Sequence, residues 1–146
     1  HSPANCRRET VMQFLRLYYW ILYAAYINDP MAEVTRYTHK EELAFRFMHY
    51  IIEEHSPDKD VAYYARKLGL SAKSLTNLIR SISGQSARDW IVFYTIFEIK
   101  TLLRDSSLDI KAIAARTHFP DHATLSRYFR RYTGMTPTKY RESFFF

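Results

Sequence analysis

At 146 residues, with 47% hydrophobic and 25% charged side chains, the chain is long enough to bury a core and too apolar to be a disordered tail. Three glycines and five prolines, against 12 tyrosines and 10 phenylalanines, are too few turn residues for an all-β sandwich and favour an all-α fold. The net charge of +6 is uneven: residues 58–146 hold 15 Lys/Arg against 8 Asp/Glu, a net +7, and residues 1–57 hold 6 against 7, a net −1.

A basic C-terminal part beside a nearly neutral N-terminal part fits a polyanionic partner for the former alone; a merely soluble basic surface fits the charge equally well. Cys6 is the only cysteine, which rules out an intrachain disulfide or a cysteine zinc cluster and fits a reducing cytoplasm. The chain opens on His1 rather than Met, so it is expected to be a piece of a longer protein.

The first predicted helix covers 7–27, with Val11, Phe14, Leu15, Tyr18, Leu22 and Ala25 near helical spacing and Asn28-Asp29-Pro30 ending it. Met12, Tyr19, Trp20 and Tyr23 make it apolar nearly all round, so it needs covering. Packing on the rest of the chain would do this, and so would pairing with a second copy or another domain. Its uncharged run, 17–27, is 11 residues long, too short to span a bilayer, and no membrane partner is expected.

Thr38-His39-Lys40-Glu41 reads as a capping box that opens a helix carrying Leu43, Phe47 and Ile51 to about Glu54. Ser56-Pro57-Asp58 breaks it where the charge changes sign. Two parts are therefore expected: N-terminal helices over 1–57 and a basic part over 58–146.

The basic part repeats itself. Asp60-Val61-Ala62-Tyr63-Tyr64-Ala65 falls on Asp109-Ile110-Lys111-Ala112-Ile113-Ala114 at an offset of 49. Beyond a short turn the offset becomes 50, and Leu75, Ile79, Arg80, Gly84, Ser86 and Trp90 fall on Leu125, Phe129, Arg130, Gly134, Thr136 and Tyr140. In each copy an Asp caps a short helix whose small Ala65 or Ala114 permits close approach of a second helix. Ser71 or Asp121 caps that second helix, expected at about 72–82 and 121–132, and Gly84 or Gly134 ends it. Leu75, Leu78 and Ile79, or Leu125, Tyr128 and Phe129, are expected to face inward.

Helix, tight turn, then a helix with a polar, partly basic outer face is the helix-turn-helix plan, although a plain helical hairpin shares it. Two copies in a basic segment favour double-stranded DNA. Between them, about 87–104, a linking helix with Ser86 as cap and Trp90, Ile91, Tyr94, Phe97 and Leu102 for packing would be roughly 27 Å long at 1.5 Å per residue. That is close to the roughly 34 Å between successive major grooves on one face of DNA, and some bending would make up the difference.

No enzyme is expected. There is no phosphate-binding G-x-x-x-x-G-K loop and no G-x-S-x-G elbow, and Gly69, Gly84 and Gly134 all fit helix ends. His118 and His122 stand four apart, but Pro120 and Asp121 interrupt the helix that a shared metal would need. Neither metal nor cofactor is expected.

The chain resembles the AraC/XylS family of bacterial regulators over about 60–141. The residues that carry the likeness are Leu68-Gly69-Leu70-Ser71, Leu75-Thr76-Asn77, Ser83-Gly84, Leu102-Leu103, Ile110-Lys111-Ala112-Ile113-Ala114, Phe119-Pro120-Asp121, Leu125-Ser126-Arg127-Tyr128-Phe129-Arg130-Arg131, Thr133-Gly134-Met135-Thr136-Pro137 and Tyr140-Arg141. The second half of this set is the more specific.

The resemblance implies two helix-turn-helix units joined by a linking helix, following a sensor or dimerisation domain of which 1–57 would be the remnant. It places base contacts on Lys73, Thr76 and Asn77 in the first unit and on His122, Thr124 and Arg127 in the second. Ser71, Arg80, Arg116, Arg130 and Arg131 would meet phosphates. RNA polymerase and a homodimer through 7–27 are the further partners implied, in the bacterial cytoplasm at the nucleoid. Two positions depart from the family: His118 stands where Gly is usual, and Thr95 where Arg is favoured in the linking helix. A protein-interaction module that keeps the fold without DNA is the alternative, since 72–82 is only mildly basic.

Overall fold

A computed structural model describes Tyr19 and residues 39–145; the helix expected over 7–27, apart from Tyr19, and the cap at Thr38 lie outside them. The described residues form helices and no strand. In chain order the helices are α1 (His39–Glu54), α2 (Val61–Lys67), α3 (Ala72–Ser83), α4 (Ala87–Leu103), α5 (Ile110–Arg116), α6 (His122–Thr133) and α7 (Pro137–Phe145).

The helix starts follow from side chains that satisfy free backbone N–H groups. Asp60 and Asp109 accept from Tyr63 N at 2.9 Å and Ala112 N at 2.7 Å. Ser71 and Asp121 accept from Ser74 N at 3.0 Å and Thr124 N at 2.6 Å. Ser86 opens α4 with a reciprocal capping box, its hydroxyl on Asp89 N and the Asp89 carboxylate on its own N–H. The ends of α3 and α6 are left-handed glycines, Gly84 at φ 76° and Gly134 at φ 79°.

The two tight turns have the same hydrogen bonds. Leu70 N binds Ala65 O, and its counterpart Phe119 N binds Ala114 O, both at 2.9 Å. Each turn needs one left-handed residue, supplied by Gly69 (φ 70°) and by His118 (φ 63°), the only non-glycine residue at positive φ among those described.

The repeat begins earlier than Asp60. Phe47, Ile51 and His55 are buried, as are Thr95, Ile99 and Leu103 at an offset of 48. Each helix-turn-helix is therefore led by a longer helix, α1 for the first unit and the C-terminal half of α4 for the second. It is also followed by one: Ala87 and Pro137, both buried, open α4 and α7 at matching places. The linking helix thus trails one unit and leads the next.

The first core gathers Phe47, Ile51, Tyr64, Leu75 and Ile79, and the second Ile99, Leu103, Ile113, Leu125, Phe129 and Tyr140. Phe47 meets Tyr64 edge-on at 5.8 Å and Phe129 meets Tyr140 at 5.5 Å. Leu75 and Leu125 are fully buried, and truncating either to alanine would cost about 2–5 kcal/mol.

Polar clamps fasten the leading and trailing helices. Glu54 at the end of α1 accepts from Lys67 and, at 2.9 Å, from the Tyr63 hydroxyl, which holds α1 to α2. Arg141 of α7 donates Nε to Leu103 O at 3.0 Å and Nη2 to Asp105 O at 3.3 Å, a cation at the C-terminal end of α4 where the helix dipole favours it. The break at Ser56-Pro57-Asp58 is thus a loop inside a packed unit. The change of charge there marks where the basic surface starts, while packing already starts with α1.

Candidate nucleic-acid interface

A helix of 3.6 residues per turn that buries Leu75 and Ile79 must turn Lys73, Asn77, Arg80 and Ser81 to the opposite side, and all four are exposed. By the same rule α6 buries Leu125 and Phe129 and exposes Ala123, Arg127, Arg130 and Arg131, with His122 exposed at its first residue. Neither α3 nor α6 contains an acidic residue. The outer faces differ in strength: α3 carries Lys73 and Arg80, and α6 carries Arg127, Arg130 and Arg131.

Of the six residues expected at base edges, Lys73, Asn77, His122 and Arg127 are exposed, whereas Thr76 and Thr124 are half-buried on the flanks of their helices. Arg127 Nη2 donates to Thr124 Oγ1 at 3.3 Å, so Thr124 orients the arginine from beside it. Asn77 and Arg127 occupy the same place in the two units. The other four do not pair across the repeat, because Thr76 falls on Ser126 and Thr124 on Ser74 at the offset of 50.

The structure adds Ser74 and Ser81 to the first outer face, both exposed and both passed over from sequence. Laying the two copies in register finds them, since Ser81 falls on Arg131 and Ser74 on Thr124.

The expected phosphate contacts lie around these faces. Arg80, Arg130 and Arg131 sit in the last turns of α3 and α6, and Arg116 ends α5; all are exposed. Arg131 rests over the Tyr132 ring at 5.4 Å. Ser71 is exposed, but its hydroxyl already accepts from Ser74 N and donates to Ser74 Oγ at 2.8 Å. A phosphate at Ser71 would compete with the cap.

One acid borders the second face. Asp121 is held below the usual carboxylate range, first by the Thr124 N–H and hydroxyl, with Arg127 and His122 adding to it. Its carboxylate therefore stays charged and caps the start of α6.

Thr95 does not lie on the outer surface. It is 3% exposed, and its hydroxyl donates to Ile91 O at 2.8 Å.

Residues 64–143, more than half of the chain, match the family model for a helix-turn-helix domain. The transcriptional activator RhaR of Yersinia pseudotuberculosis is 38% identical over 85 residues, which cover 58% of this chain and 29% of that protein. The arabinose operon regulatory protein of Salmonella typhimurium is 30% identical over 92 residues, covering 62% of this chain and 33% of that protein.

The chain belongs to the AraC/XylS family. It spans about a third of the length of these curated relatives. Among solved structures, the DNA-binding domain of the global transcriptional factor AdpA, in complex with a target DNA, shares the fold at a TM-score of 0.59 and 24% identity, over 70% of this chain and 91% of that one. The AraC/XylS plan accounts for the left-handed turns, the linking helix and the pair of acid-free outer faces together.

Proposed function

We propose that the protein is a sequence-specific, DNA-binding transcription regulator whose helices α3 and α6 each enter a major groove. The observation that carries this reading is the pair of exposed, acid-free outer faces, built at matching places on two copies of one scaffold. Arg127 reads guanine through O6 and N7, and Asn77 reads adenine through N6 and N7, each pairing contributing about 1–3 kcal/mol of base discrimination. Lys73, Thr76, His122 and Thr124 complete the base-facing set. Arg80, Arg116, Arg130 and Arg131 bind phosphates, with Ser71 as a weaker contact.

The 17 residues of α4 measure about 25 Å, which holds the units near adjacent grooves with modest bending of the duplex. In this reading 58–146 contact DNA with α1 packed into the first unit, and the residues before α1 link to a sensor domain and pair two copies through 7–27. RNA polymerase is the further partner, and the bacterial cytoplasm the place of action.

Selection from a randomised duplex library tests this. The expected result is a two-part site bound with strong salt dependence. Failure to enrich any sequence, with no salt-sensitive affinity for duplex, would favour the protein-interaction module instead.

A further inference from the structure

The two units touch the linking helix differently. In the second unit, Tyr128 and Tyr132 lie one turn apart on α6 with their rings 4.8 Å apart, and Phe119 stacks edge-on against Tyr128 at 5.3 Å. The Thr95 hydroxyl of α4 neighbours the Tyr128 phenol. Two turns nearer the start of α4, Arg88 Nη2 donates to the Tyr132 hydroxyl at 3.4 Å. In the first unit the matching positions are Leu78 and Ile82, and Ile82 is 48% exposed. The polar arrangement belongs to the second unit alone.

Arg88 lies in the first turn of α4, the part that trails the first unit, whereas Tyr132 lies in the last turns of α6. Their contact therefore bridges units 44 residues apart in sequence. Ile99 and Leu103 already hold α6 on the C-terminal half of α4 through Leu125 and Phe129, and the Arg88–Tyr132 contact adds an attachment near the start of α4, beside the first unit. We propose that Arg88 and Tyr132, with Thr95 and Tyr128, form a latch that sets the angle of the second recognition helix against the first unit, and so sets which half-site spacing the protein accepts. The spacing part rests on the DNA-binding reading; the latch itself does not.

Two measurements on the full chain test it. Spin labels at Ala72→Cys and Ala123→Cys, in a Cys6→Ser background, report the distance between the recognition helices without DNA. Tyr132→Phe removes one hydroxyl and keeps the ring, and Arg88→Ala removes the donor. Either should move weight in the distance distribution away from the parent distance by a factor of about two to five, with the circular dichroism spectrum unchanged. Distributions that superimpose on the parent would overturn the latch.

The second measurement uses duplexes carrying the selected site with its halves moved one base pair apart or together. An exposed polar pair shifts an equilibrium by a factor of about two to five. Discrimination between native and altered spacing should fall by about that factor in both variants, while affinity for an isolated half-site of the second unit stays the same under Tyr132→Phe. An equal loss on every duplex, half-site included, would mark a merely structural role and overturn the spacing claim. A parent that binds no duplex overturns the DNA-binding reading, and the distance measurement still decides the latch.

Discussion

Replacing Arg131 by alanine removes one exposed cation from the outer edge of α6 and leaves its buried side untouched, since Leu125 and Phe129 hold the helix in place. Four such cations, Arg80, Arg116, Arg130 and Arg131, are assigned to phosphates. Each releases about 0.9 of a counterion, so log affinity against log salt should have a slope of about −3.6 from these four. Between 50 and 200 mM salt that slope amounts to a loss of about 150-fold. With Arg131→Ala the slope should fall by about 0.9, whatever duplex is used, because a phosphate contact carries no sequence information.

Arg131 also lies over the Tyr132 ring, so some packing is lost with it. Arg131→Lys is the control, keeping the charge and the slope while changing the ring contact. Fluorescence anisotropy of a labelled duplex across a salt series gives the slope directly. An Arg131→Ala slope equal to that of the parent, or a parent slope near zero, would refute the assignment of these arginines to phosphates.

Arg127→Ala should weaken the selected site by about 1–3 kcal/mol while random duplex loses far less, and competition titration measures the two together; equal losses would reassign Arg127 to a phosphate. Gly69→Ala should destabilise the fold by about 1 kcal/mol through positive φ alone, because an added Cβ meets nothing within 4 Å. His118→Gly should stabilise it by about 0.5 kcal/mol, the relief of φ being partly offset by the freer unfolded chain. Urea denaturation decides both, and a neutral Gly69→Ala with a clearly destabilising His118→Gly would refute the account of the turns. Burial pushes the Tyr128 hydroxyl up to about 12 and raises Tyr64 and Tyr140 too. The folded state then holds protons that the unfolded chain gives up near pH 10, so stability should fall between about pH 10 and 12, as followed by denaturation midpoints; a flat profile would contradict that burial.

Much of this fold was legible because its signals are local. Asp60, Ser71, Ser86, Asp109 and Asp121 act as caps through side chains that reach only three residues ahead, so residue type and spacing suffice to find them. The repeat disclosed the turns in the same way, with Gly69 and His118 sharing one backbone conformation at matching places. The membership of α1 in the first unit was hidden because its core position His55 is polar where the second unit has Leu103, and because the loop that follows differs in length. Pro57 and the change of charge then read as a junction.

Outward direction was harder than helix position. Thr76 and Thr124 lie about a quarter-turn from the centre of the outer face, where helical spacing alone does not separate flank from face. Thr95 shows the same limit from the other side. Its burial depends on Tyr128 of a helix that begins 27 residues later, a contact no local pattern contains.

In the DNA-binding reading the two outer helix faces meet two major grooves on one side of the duplex. Methylation interference at guanine N7 on the selected site tests it most directly, because N7 lies in the major groove. Two clusters of interference about 10–11 base pairs apart, one weakened by Lys73→Ala and the other by Arg127→Ala, are the predicted result. A single cluster, or two clusters about half a turn apart and so on opposite sides of the duplex, would contradict it.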